Sequence, residues 1–211
     1  CDRPGPAVRP GGCSRGALSP AERAACRRQL GIAPDAPVIG HVGRMVEVKN
    51  HRFLLRAFAA CLAEAPAAQL LLVGDGPLEP ELRALAAELG IQDSVHFPGA
   101  RRDTPALYGA MDVFAMPSRY EGLSMALLEA QAAGLPCVVS DTVSRESDVT
   151  GRMDFLPADH TGPWAECLLR RCAPADRVQG IGEAFRRRQH PAQPGASAAV
   201  RRTRRCLPGL L

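Results

Sequence analysis

The amino-acid sequence predicts a doubly wound α/β domain built on a parallel sheet. Three observations lead there. Five short apolar runs, VIGHVG at 38–43, QLLLVG at 69–74, SVHFPG at 94–99, DVFAMPS at 112–118 and PCVVSD at 136–141, lack clean alternation, as strands covered on both faces do. Helical periodicity fills stretches between them, which parallel neighbours need for their crossovers. Each run ends in glycine, Pro-Ser or Ser-Asp. The polar punctuation therefore gathers at the carboxyl edge, where ligands of such sheets sit.

A lead-in helix is expected over 19–31. Ser19 is its cap, Pro20 lies in its first turn, Glu22 stands three residues after the cap, and Gly31 stops it. The next helix carries Leu54, Phe58 and Leu62 on one face, at i, i+4 and i+8. A third carries Leu82, Leu85, Ala86 and Leu89, at i, i+3, i+4 and i+7. A further helical stretch opens after Glu121-Gly122 and is largely apolar, with Glu129 as the only charged residue between Leu123 and Leu135. Outside these elements the chain changes character. Residues 1–18 and 177–211 are rich in Arg, Pro and Gly, without a period. They read as poorly ordered tails, the second helical at its start, flanking one folded unit at 19–176.

Composition narrows the function classes. Apolar residues make up 46% of 211 and charged residues 23%, which fits a globular chain rather than a disordered one. No apolar run reaches the roughly 18 residues of a membrane span. The net charge of +4 divides into +3 over 1–37, −6 over 38–176 and +7 over 177–211. The basic excess thus lies on the tails, and nucleic acid is not an expected partner of the folded part. The eight cysteines form no CxxC pair and read as reduced thiols in a cytosolic protein. The first residue is Cys1, so a fragment of a longer chain is expected. Histidines 41, 51, 96, 160 and 190 show no paired-ligand spacing, and no metal site is expected. Neither GxSxG nor GxxxxGK[ST] occurs, against an α/β hydrolase or a P-loop NTPase.

Two constellations can carry chemistry. Gly43-Arg44 ends the first strand and Lys49 follows five residues later; Lys49 is the single lysine beside 25 arginines. A glycine lets the backbone approach a ligand, and a planar guanidinium with a compact ammonium suits phosphate oxygens. Such a pair can stabilise the charge that grows on a departing diphosphate. Two solvated surface cations would give the same spacing. The second constellation is Glu121-Gly122-Leu123-Ser124-Met125-Ala126-Leu127-Leu128-Glu129. Its helix start offers amides to an anion. Glu129 is the one charge on an apolar helix, so it is expected to be at least partly buried. It then needs either sugar hydroxyls or an arginine elsewhere as partner. Gly74-Asp75-Gly76-Pro77 resembles part of a dinucleotide fingerprint, but Glu79 stands at the third glycine position. It reads as a tight turn rather than a nicotinamide site.

Together these residues resemble the C-terminal, donor-binding half of family-four retaining glycosyltransferases of GT-B fold. The bacterial enzymes of exopolysaccharide or capsule synthesis look most similar. The resemblance runs through VIGHVGRMVEVKNHRFLL, LLLVGDGPL, VHFPGARRD and DVFAMPSRYEGLSMALLEAQAAGLPCVVSD. It implies a Rossmann-like half domain that binds a UDP- or GDP-sugar and transfers its hexosyl group with retention. By that resemblance Arg44, Lys49 and Glu121 carry catalysis, with Arg44 and Lys49 on the diphosphate and Glu121 on the transferred sugar. Glu129 holds the ribose. Gly43, Gly74 and the amides of Gly122, Leu123 and Ser124 line the donor, and Phe97 and Gly99 receive the base through their backbone. It also implies transfer without metal or other cofactor, a glycan or lipid-linked acceptor held by an N-terminal half, and a cytoplasmic place with peripheral contact at the inner membrane face. A non-catalytic nucleotide-sugar-binding or interaction module is the alternative.

Overall fold

The computed structural model describes residues 18–173. Residues 1–17 of the expected tail at 1–18, the expected tail at 177–211 and residues 174–176 of the expected folded unit lie outside that range. Twelve regular elements alternate along the described chain: α1 (Pro20–Gln29), β1 (Val38–Val42), α2 (His51–Glu64), β2 (Gln69–Val73), α3 (Glu79–Glu88), β3 (Val95–Gly99), α4 (Thr104–Ala110), β4 (Val113–Met116), α5 (Met125–Ala132), β5 (Cys137–Ser140), β6 (Met153–Leu156) and α6 (Thr161–Arg171). All six strands are parallel, in the order β3-β2-β1-β4-β5-β6. This is the doubly wound order, and the chain reverses its direction of travel across the sheet between β1 and β4.

Successive strand residues point to opposite faces, and each face has its own core. Ile39, Leu70, Leu72, Val113, Ala115 and Val138 pack under α2, α3 and α6, with Leu54, Phe58, Leu82 and Trp164. Val38, Leu71, Val73, Phe114, Met116 and Val139 pack on the other side, with Leu107 and Tyr108 of α4 and Leu127 and Ala130 of α5. This two-sided burial explains the unbroken apolar runs. Gly40 sits mid-strand because Met111 fills its side-chain position: a Cβ there would lie 2.1 Å from the Met111 sulfur.

Three elements escaped the sequence reading: α4, α6 and β6. β6 is a four-residue edge strand whose side chains are all half-buried, so MDFL shows no apolar run. The role of α1 was also hidden. Its Ser19–Glu22 capping box is present, but its arginines do more than face water. Arg27 is 2% exposed. It donates to the carbonyls of Ala110 at 2.9 Å, Pro34 at 2.5 Å and Ala36 at 2.9 Å, and to Asp112 at 2.6 Å. Arg23 bonds the carbonyls of Gly109 and Met111 and the same Asp112. The two guanidiniums thus satisfy carbonyls at the open end of α4.

Candidate functional site

The carboxyl ends of β1 and β4 flank the reversal point, and their two loops are tied to each other. Arg119 donates its backbone N–H to the Val48 carbonyl at 2.8 Å. The β1 loop is also braced from the β2 side: Gly43 N–H meets Val73 O at 2.9 Å and Met45 N–H meets Asp75 O at 2.7 Å. That contact explains the Gly-Asp-Gly sequence. Gly74 and Gly76 have φ of +135° and +155°, and Cβ atoms there would lie 2.1 Å from Gly43 O and 2.5 Å from Met45 O. Only glycine fits both the conformation and the approach.

On this frame the two constellations meet. Lys49, at the end of a 3₁₀ turn at Glu47–Lys49, forms an ion pair with Glu121 of the β4 loop, 72 residues away. Each side chain keeps 17% of its surface exposed. Ser118 Oγ lies 3.5 Å from the same Glu121 oxygen. The Glu121 backbone is bridged to Val143, and its carbonyl accepts from Ser144 N–H at 3.3 Å. Arg44 is exposed beside them and makes no ion pair among the described residues. Gly43 is half-buried at the strand tip.

Glu129 corrects one expectation. It is exposed rather than partly buried, and the side chain that meets it is not an arginine: it accepts from the Tyr108 hydroxyl at 3.1 Å. Composition misled because only part of this apolar stretch faces inward. Leu127 and Ala130 are buried, whereas Leu123 and Met125, at the helix entrance, are 67% and 65% exposed. With Tyr120 at 74% and Val48 at 39%, they give the edge around Lys49–Glu121 an apolar border. Ser124 is buried at the α5 N-cap, yet its hydroxyl caps no amide. Gly122 is exposed, and its carbonyl accepts from Ser147 Oγ at 3.2 Å.

Phe97 and Gly99, expected to receive the base, stand farther along the edge. Gly74 N–H bonds Gly99 O at 3.0 Å, which joins the ends of β2 and β3. The Phe97 ring is covered by the Arg83 guanidinium at 4.4 Å, and its carbonyl accepts from Arg83 at 3.4 Å.

Sequence reasoning missed several residues under the site. Gln131 is wholly buried on α5 and accepts from Val149 N–H, at 3.0 Å, and from Thr150 while donating to Ser147 O, which ties the β5–β6 loop to α5. Thr142 Oγ1 donates to Ser118 O at 2.8 Å. Next to that contact a cavity of about 610 Å³ opens at the ends of β5 and β6, with Arg56, Arg119, Asp141 and Asp159 on its walls. Below the β1 loop lie His41 and His51, at 0% and 2% exposure. Burial pushes their pKa values down to about 4 and about 2. No pattern in the sequence distinguished these two from surface histidines.

The cysteines resolved among the described residues, 26, 61, 137, 167 and 172, are all free thiols. Burial pushes Cys61 up to about 12. None of the described helices is long and apolar enough to cross a membrane.

A family model described as "Glycosyl transferases group 1" matches residues 36–172. The putative glycosyltransferase EpsF of Bacillus subtilis is 42% identical over 145 residues, covering 68% of this chain and 38% of that protein. The D-inositol 3-phosphate glycosyltransferase of Actinosynnema mirum is 38% identical over 179 residues, covering 77% and 42%. The chain spans about two fifths of the length of these relatives. Among solved structures, Anabaena Alr3699/HepE in complex with UDP superposes with a TM-score of 0.68 at 25% identity, over 80% of this chain and 48% of that one. The C-terminal domain of a glycosyl transferase group 1 family protein from Francisella tularensis shares the fold, with a TM-score of 0.64 at 18% identity, over 78% of this chain and 89% of that one.

Proposed function

The chain belongs to the glycosyl transferases of group 1, and on that premise we propose that it is the donor half of a retaining enzyme, holding a UDP- or GDP-sugar on the carboxyl edge between β1 and β4. The observation that carries this reading is the meeting of Lys49 and Glu121 at the reversal point, beside an exposed Arg44 that makes no ion pair among the described residues. A cation and a carboxylate that hold each other at this edge are the two charges a nucleotide sugar needs apart. The diphosphate takes Lys49 and Arg44. Glu121 is released to the hydroxyls of the sugar. The Anabaena relative solved with UDP-glucose supports a nucleotide sugar as ligand.

The chemistry follows from the charges. As the bond from the sugar's anomeric carbon to the diphosphate oxygen breaks, the electron pair stays on that oxygen. Arg44 and Lys49 offset the growing negative charge more than they did in the ground state, which is what lowers a barrier. The amides of Leu123, Ser124 and Met125 add the positive end of α5, which no Ser124 hydroxyl occupies. Glu129, exposed on the same helix, is free to exchange its Tyr108 bond for ribose hydroxyls. The oxygen of an acceptor hydroxyl forms the new bond on the same face of the sugar and its proton passes to the departing diphosphate oxygen; the acceptor, glycan or lipid-linked, is presented by a partner half domain in the assembly of a cell-surface polysaccharide. The retaining course and the acceptor rest on the motif resemblance.

Calorimetry of the chain with UDP, GDP and ADP, each beside its nucleoside, tests the reading. Lys49→Met or Arg44→Met is expected to weaken nucleoside-diphosphate binding by about 1.5–3 kcal/mol, the range for hydrogen bonds to charged groups, and to leave the nucleoside nearly untouched. Equal losses for nucleoside and diphosphate would overturn it.

A further inference from the structure

Beneath the Lys49–Glu121 pair lie two imidazoles to which the donor site gives no task. His41 Nδ1 meets the Ala115 carbonyl at 2.8 Å. A carbonyl only accepts, so Nδ1 carries the proton and Nε2 of the neutral ring is a bare lone pair. That nitrogen is fully buried and has no hydrogen-bond partner among the described residues. An acceptor stranded in this way is costly, and folded proteins keep few of them.

The direction of the lone pair is given by Gly43. A Cβ at that position would lie 3.0 Å from His41 Nε2 and 3.7 Å from Lys49 Cε. His41 and the Lys49 stem therefore form two walls of the gap that the glycine leaves open. His51 stands edge-on to His41, with ring centroids 4.6 Å apart, and both its nitrogens are likewise buried without partners. The floor of the β1 loop is thus polar but uncharged.

We propose that His41 is a positioning residue for Lys49: when a diphosphate draws the ammonium away from Glu121, the His41 Nε2 lone pair accepts one of its three N–H bonds through the gap at Gly43. The inference rests on the donor reading of Lys49 and adds a residue to it. A neutral acceptor suits this place. It fixes the direction of the ammonium without competing for its charge, as a second carboxylate would. Gly43 then serves by having no side chain to close the gap.

The test compares wild type, Lys49→Met, His41→Leu, His41→Gln and the double variant His41→Leu/Lys49→Met, each first checked for an intact fold by circular dichroism. Binding of UDP and of uridine is measured by calorimetry. His41→Leu is expected to weaken UDP about tenfold, as for one hydrogen bond to a charged group, and to leave uridine unchanged. His41→Gln, which keeps an acceptor, regains part of the loss. In the Lys49→Met background His41→Leu adds nothing, the coupling expected of groups that act through each other. An undiminished UDP affinity in His41→Leu, or an equal loss in the Lys49→Met background, overturns the proposal. Nitrogen NMR of histidine-labelled wild type supplies a reading free of any unfolding variant. Nε2 of His41 should appear unprotonated and shift on addition of UDP, but not in Lys49→Met. A protonated Nε2 overturns the proposal. A Lys49→Met chain that binds UDP as wild type does overturns the donor reading and this inference together, whereas a loss in Lys49→Met alone overturns only the inference.

Discussion

Replacing Arg27 by methionine tests whether the lead-in helix is part of the folded unit or an ornament on it. Arg27 is 2% exposed and donates to three carbonyls and to Asp112. Methionine fills a similar volume but donates nothing. Asp112 does not become an isolated charge, because Arg23 and the Val38 N–H still bond it. The cost is therefore that of stranding the carbonyls of Ala110, Ala36 and Pro34. At about 1–3 kcal/mol per buried unsatisfied group, with water reaching the carbonyl of the exposed Pro34, the sum comes to about 3–5 kcal/mol. Asp112→Ala should cost at least as much, because it leaves two guanidiniums facing each other with no anion between them. Arg23→Met should cost less, since Arg23 keeps 21% of its side chain in water. Urea unfolding followed by circular dichroism gives all three values. An Arg27→Met chain that loses less than about 1 kcal/mol, within the range of a surface change, would refute the clamp.

Three other outcomes follow from the site and its floor. Gly74→Ala places a Cβ 2.1 Å from the Gly43 carbonyl at a φ of +135°, so it should cost at least about 1–3 kcal/mol of stability and lower diphosphate affinity by shifting the Arg44 loop; unfolding midpoints and calorimetry with UDP both read it, and an unchanged pair of values would contradict the bracing role of the turn. His41 and His51 are held neutral, with pKa values near 4 and 2 against 6.5 unfolded. The unfolded chain therefore binds more protons, and stability should fall as pH drops below 6.5, by up to about 1.4 kcal/mol per pH unit for each ring; a flat urea midpoint between pH 7 and 5 would show that the rings are not buried neutral. Glu129→Gln should change the melting temperature little, because the residue is exposed and its one partner is a hydroxyl, while the preference for UDP over 2′-deoxy-UDP shrinks by about 1 kcal/mol; a kept preference would remove Glu129 from the ribose.

The sequence by itself determined the α/β class, the positions of five of the six strands and the edge on which the candidate site residues gather. Those features are local: a strand buried on both faces must be apolar throughout, and its end must turn, so both leave their mark within a few residues. It also put Arg44, Lys49 and Glu121 forward, because charged residues near glycines after strand ends are visible one loop at a time, and Glu129, because a single charge stands out on an apolar helix. What only the tertiary structure decided is which of these groups face one another. Lys49 and Glu121 are 72 residues apart and meet because β1 and β4 pair across the reversal, an adjacency that no periodicity encodes. Burial of single polar residues was equally hidden. Glu129, alone on an apolar helix, is exposed, while Arg27 and His41, in unremarkable surroundings, are buried. Residue type sets the cost of burying a group, but the packing of distant elements decides which groups are buried and which partners meet them.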